Sequence, residues 1–156
     1  MPTLDRLPNR DGGSPLPTPP RRPGDARASA TACCTWPAER RTPARARAFA
    51  RSRLAAWGVG EATAESADVV ISEFVTNTVV HSGASELTLR LFRGPSELRI
   101  EVVDSGRWRR PNARPARDGS MAESGRGLWM VETLTQRCGL HHTRHGTTAW
   151  ALLAAV

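Results

Sequence analysis

Glu73 and Asn77 stand four residues apart in the run ISEFVTNTVVHSG, and an Asp104-Ser105-Gly106 and a Gly125-Arg126-Gly127-Leu128 follow downstream. On a helix, residues four apart share a face, so a carboxylate at 73 and a carboxamide at 77 can address one ligand. Glu73 could orient or deprotonate a nucleophile. Asn77 could offer its side-chain oxygen to a hard cation such as Mg²⁺, which takes oxygen ligands and keeps several waters. Taken alone, the pair also fits the wet side of an ordinary amphipathic helix. Asp104 ends an apolar strand pattern, where its carboxylate could accept a hydrogen bond from the exocyclic amine of adenine while Gly106 lets the base approach the backbone. An Asp-Ser-Gly turn that merely ends a strand is the plainer reading of those three residues. The Gly125 to Leu128 segment leaves a loop and opens a helix, whose free N–H groups and positive dipole end suit phosphate. By itself, a Gly-x-Gly also fits a flexible loop exit.

The elements that must position these residues can be read from periodicity. Residues 1–31 carry seven of the twelve prolines amid Gly, Ser, Thr and Arg, and are expected to be a disordered tail. The folded domain is expected over 32–156, opening with a short strand in TACCTWPA. Thr42 and Pro43 then open a helix as N-cap and first residue, with Ala46, Phe49, Ala50, Leu54 and Trp57 on its inner face and Gly58 at its end. Its arginines at 45, 47, 51 and 53 form either a solvated face or a docking face for an acidic partner. The second helix is expected from about Glu61 to Val80, with Ala67, Val70, Ile71, Phe74 and Thr78 buried and with Glu73 and Asn77 on one flank of that stripe. Leu87, Leu89 and Leu91, then Leu98, Ile100 and Val102, alternate with polar residues as two strands of a hairpin. Strict alternation leaves one sheet face wet, so helices cover only the other face. Arg107 to Ser124 reads as a loop, Gly125 to Gln136 as a helix with Leu128, Val131 and Leu134 inward, and Leu140 to Arg144 and Thr147 to Leu153 as closing strands. The fold class is α+β: a two-layer sandwich of a mostly antiparallel mixed sheet with helices on one face.

Composition removes several functions. The net charge of +7 rests on 22 arginines and no lysine, so a P-loop, which needs its Gly-Lys-Ser/Thr, is excluded. The arginines are dispersed from Arg6 to Arg144 and accompany no nucleic-acid-binding motif, which makes compositional bias the first reading and direct nucleic-acid binding a lesser one. Cys33, Cys34 and Cys138 form neither a paired framework nor a metal clip, and are expected to be small buried residues. No stretch approaches the roughly 20 apolar residues of a spanning helix, and a cytoplasmic chain without membrane contact is expected. His141, His142 and His145 suggest a metal site, but adjacent strand residues point to opposite faces.

In order and spacing, the motifs resemble the ATP-binding domain shared by gyrase, the heat-shock chaperone, histidine kinases and MutL, and most closely the anti-sigma regulatory factor type of bacterial serine/threonine protein kinase. The resemblance covers roughly Thr35 to Leu153. It is carried by Glu73-x-x-x-Asn77-x-x-x-His81, by Asp104-x-Gly106, by Gly125-x-Gly127-Leu128 and by Gly146-Thr147. It implies a histidine-kinase-like ATPase fold that binds ATP and Mg²⁺. Glu73 would be the general base, Asn77 the Mg²⁺ ligand, Asp104 with Gly106 the adenine site, and Gly125, Arg126, Gly127 and Leu128 the phosphate segment. Thr147 or Thr148 would lie near the adenine, and His81 is read as a helix-end residue beside the pocket. The implied partners are a sigma factor and an antagonist protein phosphorylated on serine or threonine, with a homodimer possible. An ATP-dependent interaction module without phosphotransfer is the alternative. The chain departs from the family at Trp108, where a second glycine is usual.

Overall fold

The computed structural model describes residues 30–108 and 123–155. The disordered tail expected over 1–31 lies outside the described residues up to position 29, and of the loop expected from Arg107 to Ser124, residues 109–122 lie outside them too. Strand β1 covers Ala30–Pro37 and so begins two residues ahead of the expected domain start at 32. Helices α1 (Thr42–Ala56) and α2 (Glu61–Asn77) follow, then strands β2 (Glu86–Arg93) and β3 (Glu97–Asp104), helix α3 (Glu123–Leu134), and strands β4 (Arg137–Thr143) and β5 (Gly146–Ala154).

The five strands form one sheet in the order β1-β2-β3-β5-β4, and every neighbouring pair is antiparallel. The α+β sandwich is as expected, without the parallel pairing that a mixed sheet would contain. Its inner face is built by the alternating positions. Leu89, Leu91, Leu98, Ile100, Val102, Ala149, Ala151 and Leu153 are all buried there beneath the helices. The helices supply Ala46, Ala50 and Leu54 from α1, Ala67, Val70, Ile71 and Phe74 from α2, and Leu128 and Val131 from α3. Leu134 was expected inward but is exposed, together with Trp129 and Met130. Helix α3 ends two residues before the expected Gln136, and Leu134 sits in its fraying last turn.

The other sheet face is charged and only partly exposed, with Glu101 and His141 buried on it. Glu101 accepts from Arg99 at 2.7 Å, and the Arg99 guanidinium stacks on Trp150 at 5.3 Å. Cys33 is exposed on β1, because the alternation that buries its neighbours turns it outward; of the three cysteines, only Cys138 is buried. On α1, Thr42 is not the N-cap. Its hydroxyl donates to the Pro37 carbonyl at 2.6 Å and accepts from the Glu39 N–H at 3.2 Å, which ties the helix start to the end of β1. Two of the four α1 arginines face α2 and are used there. Arg47 donates to Ser72 at 3.0 Å, and Arg51 bridges Asp68 at 2.7 Å and Glu61, which raises its pKa further. This clamp weakens the docking-face reading and fixes α1 against the helix that carries Glu73.

Ile100 lies fully buried at the middle of β3, opposite Leu91 and Ala151. Ile100→Ala should lower the unfolding free energy by about 2–5 kcal/mol in denaturant titration. Arg90→Ala, on the wet face, should change it by less than about 1 kcal/mol.

Candidate functional site

Helix α2 does not simply end after Asn77. It widens into a π turn over Thr78–Ser82, closed by Gly83 in the left-handed conformation at φ 71°. The expected helix to Val80 is thus α-helical only to Asn77. Widened turns of this kind occur mostly where a helix serves a site. Here the widening releases the Ser82 carbonyl, which accepts the Arg107 N–H at 3.1 Å from the segment after β3. Gly106 lies so close to that carbonyl that a Cβ would overlap it. The glycine of the Asp-x-Gly motif is therefore needed so that the end of β3 can press against the end of α2. His81 is half-buried within the same turn.

Asp104 is the centre of this junction and is only 5% exposed. Its Oδ1 accepts the Gly106 N–H at 2.7 Å, and its Oδ2 accepts the Thr78 hydroxyl at 3.1 Å and the Trp108 indole N–H at 3.2 Å. The carboxylate belongs to the chain's own turn, as the plain reading of Asp-Ser-Gly has it, and also to a buried site that spacing alone does not reveal. Thr147, opposite Asp104 in the β3–β5 register, donates its hydroxyl to the Gly106 carbonyl at 3.0 Å. With that proton committed, the His142 Nδ1 at 3.0 Å is the donor to the Thr147 oxygen. Thr148 points to the opposite sheet face, and so does His141, its partner across the β4–β5 pair. His141 and His142 therefore do not converge on one ion.

The α2 side of the site holds Glu73 and Asn77. Asn77 is 8% exposed, and its Nδ2 has no hydrogen-bond partner among the described residues. A half-turn of the amide puts Oδ1 at that point instead, an unused hard oxygen of the kind Mg²⁺ takes. The residues present therefore fit a Mg²⁺ site of which Asn77 is one ligand. Glu73 is half-buried, and that burial raises its pKa above the ordinary 4.5. The raised value makes it a stronger base once ionised.

The expected phosphate segment lies differently from its sequence reading. Helix α3 starts at Glu123 rather than Gly125, so Gly125 is in the first turn, whose N–H groups have no partner within the helix, and Gly127 is in the second. A Cβ on Gly127 would overlap the Glu73 carboxylate. Helix α3 thus approaches the α2 carboxylate closely at Gly127, and a side chain there would have to push the flexible end of Glu73 aside. Leu128 is buried in the core and anchors α3 there. The side chain of Arg126 lies outside the described residues. Glu73, Asn77, Asp104, Gly106, Gly127 and Thr147 are therefore brought to one end of the sheet, under the same end of α2. Sequence reasoning missed Thr78 as an Asp104 ligand and His142 as the support of Thr147. The strand alternation that pairs position 142 with 147 was the signal available for the latter.

The Glu73–Gly127 approach can be tested without reference to activity. Gly→Ala inside a helix ordinarily gains up to about 1 kcal/mol. Gly127→Ala should gain less than that, because the Glu73 carboxylate must swing aside to admit the Cβ, and the full gain should return in a Glu73→Ala background, as read by a double-mutant cycle of denaturant midpoints. Glu73 also predicts a pH slope. Because its folded pKa is raised, the folded chain holds more protons than the unfolded chain just above pH 4.5, so this group's stabilisation is full below that pH and is lost as pH rises through the folded value. Glu73→Gln should remove that part of the decline in a pH series of unfolding curves.

Comparison with known proteins agrees with this geometry. The chain resembles the solved RsbU and RsbW domains of Rv1364c from Mycobacterium tuberculosis, at 24% identity and a TM-score of 0.63 over 81% of its length, and it spans 32% of that chain. The histidine kinase-like ATPase domain family matches residues 36–152, from the end of β1 to the last strand. With three quarters of its length inside that match and its buried Asp104 at the junction of α2 and β3, the chain belongs to the histidine kinase-like ATPase domain family.

Proposed function

We propose that this protein binds MgATP and acts as an anti-sigma regulator that phosphorylates a serine or threonine of an antagonist protein. The observation that carries the nucleotide reading is the buried Asp104 carboxylate, held by the Gly106 N–H and the Thr78 hydroxyl at the end of the sheet. A carboxylate fixed in this way accepts hydrogen bonds only, which suits the amine of adenine and rejects the carbonyl that guanine carries at the equivalent position. Family membership supports ATP as the nucleotide. The anti-sigma reading draws on the likeness to a solved chain whose description names an RsbW domain.

In this reading Asp104, Gly106 and Thr147 hold the adenine end, and Gly125 with Gly127 and Arg126 line the phosphate end. Asn77 is the Mg²⁺ ligand from α2. When bound, Mg²⁺ supplies positive charge that neutralises phosphate oxygens during transfer. Glu73 takes the proton of the attacking hydroxyl, whose oxygen then bonds to the γ-phosphorus as the bond to the ADP oxygen breaks. The pKa of Glu73, raised by burial, favours this proton transfer and requires a pH above that value for Glu73 to be ionised. The sigma factor and its antagonist are the partners, and the protein works in the cytoplasm. None of its described helices is long and apolar enough to cross a membrane.

Calorimetric titration with ATP and GTP, with and without Mg²⁺, tests the site. Saturable ATP binding that depends on Mg²⁺ and exceeds GTP binding is the expected outcome, and Asp104→Ala should abolish the preference for adenine. Glu73→Ala should keep ATP affinity within about twofold and lower phosphotransfer by about 10²–10⁴-fold, with the wild-type rate falling on the acid side at a pH above 4.5. ATP binding without transfer to any antagonist would assign the protein to the interaction-module alternative.

A further inference from the structure

We propose that the Trp108 indole occupies the adenine-binding position of this chain, so that ATP binds only by displacing it. The proposal rests on the ATP reading above and concerns the same site. Its basis is the occupancy of Asp104. Oδ2 has two acceptor positions and two donors, the Thr78 hydroxyl at 3.1 Å and the Trp108 Nε1–H at 3.2 Å. The base-reading oxygen is therefore saturated by the chain itself. The group that saturates it is a planar bicyclic ring with an edge N–H donor, which is also the recognition chemistry of adenine's amine edge. The ring is held a second time, edge-on to the buried Phe74 at 6.2 Å between centroids and 60° between planes.

The backbone permits the exchange. Arg107 is fixed through its N–H to Ser82, and Gly106 through its N–H to Asp104, so the chain up to residue 107 stays in place. Trp108 lies beyond the end of β3 and outside any helix or strand. Rotation about its own side-chain bonds removes the indole from Asp104 while the rest of the junction is kept. Replacement of one N–H donor by another leaves the hydrogen-bond number at Asp104 unchanged. The adenine amine then contributes little net affinity, and the apparent dissociation constant is the intrinsic one divided by the fraction of molecules with the indole out. Trp108 thus sets the ATP concentration at which the protein responds.

The test uses the full chain, with MgATP titrated calorimetrically into wild type, Trp108→Ala, Trp108→Phe and Asp104→Ala. Trp108→Ala should tighten ATP binding by about tenfold or more. Trp108→Phe, which keeps a ring on Phe74 and loses the N–H, should fall between it and wild type. In parallel, the emission difference between wild type and Trp108→Phe isolates residue 108, and saturating ATP should make that emission more quenchable by acrylamide. Unchanged or weaker ATP binding by Trp108→Ala, with Asp104→Ala impaired, would overturn the displacement and leave the ATP site standing. Should Trp108→Ala fail to fold, wild-type affinity in Trp108→Phe together with unaltered quenching would overturn it equally. ATP binding by none of the folded proteins would overturn the ATP reading and this inference together, whereas binding by Trp108→Ala alone would be the strongest form of the predicted result.

Discussion

The burial of one carboxylate sets the terms for this end of the molecule. The Asp104 carboxyl group, removed from water, requires partners for both oxygens, because an unpaired buried polar group costs more than a single hydrogen bond returns. Three donors meet it from separate places: the Gly106 backbone, the Thr78 hydroxyl and the Trp108 indole. Thr78 is delivered by the π turn that continues α2, and Gly106 by the turn that ends β3. Thr147 of β5 braces the Gly106 carbonyl, and His142 of β4 braces Thr147. The carboxylate thereby links α2 to three neighbouring strands through a chain of directed bonds. Packing alone would bring these elements together, since apolar contact is not directional; the register at the mouth of the sheet comes from the bonds.

The second constraint is one of space. Glu73 and Gly127 approach so closely that a side chain at 127 would displace the Glu73 carboxylate from where it lies. The carboxylate is partly dried by this approach, and partial burial is what raises its pKa. The glycine therefore shapes the chemistry of a residue 54 positions away in the chain, through exclusion of water rather than through any bond of its own. Leu128 and Val131 fix the distance by anchoring α3 in the core, and the Arg47 and Arg51 contacts of α1 hold α2 from its other side.

Much of the fold was legible because its signals are periodic. Ala67, Val70, Ile71, Phe74 and Thr78 recur at the helical repeat and are all buried, and the leucines of β2 and β3 alternate and face inward as alternation requires. Legibility stops where a position's role depends on a residue distant in sequence. Spacing marks Gly127 as a glycine ahead of a helix, and the tertiary approach of the Glu73 carboxylate to it is invisible in spacing. Cys33 looks like a small buried residue by type, and alternation on β1 turns it to solvent. The π turn after Asn77 has no periodic signature, because it depends on the Ser82 carbonyl finding the Arg107 N–H. Of the site, the residue types and their order were readable, whereas the bonds that join Thr78, Trp108, Thr147 and His142 to Asp104 were not.

The two ends of the site are left in opposite states of satisfaction, and this asymmetry follows from the fold. At the strand end, Asp104 is fully supplied by groups of the chain, so that end is stable as it stands. At the helix end, the buried Asn77 amide has an atom without a described partner, and an unmet buried polar group is destabilising by about 1–3 kcal/mol. A buried amide with an unpartnered atom, one helical turn from a carboxylate with a raised pKa, is costly to a chain that merely folds. On the MgATP reading proposed above, it gains its partner when the cation enters beside Glu73. Differential stabilisation of this kind is what allows a ligand to favour one arrangement of a protein over another, and here it sits at the end of α2, whose π turn connects directly to the Asp104 junction. On that reading the same few residues couple the demand for a ligand at one end to the rearrangement of an already satisfied carboxylate at the other.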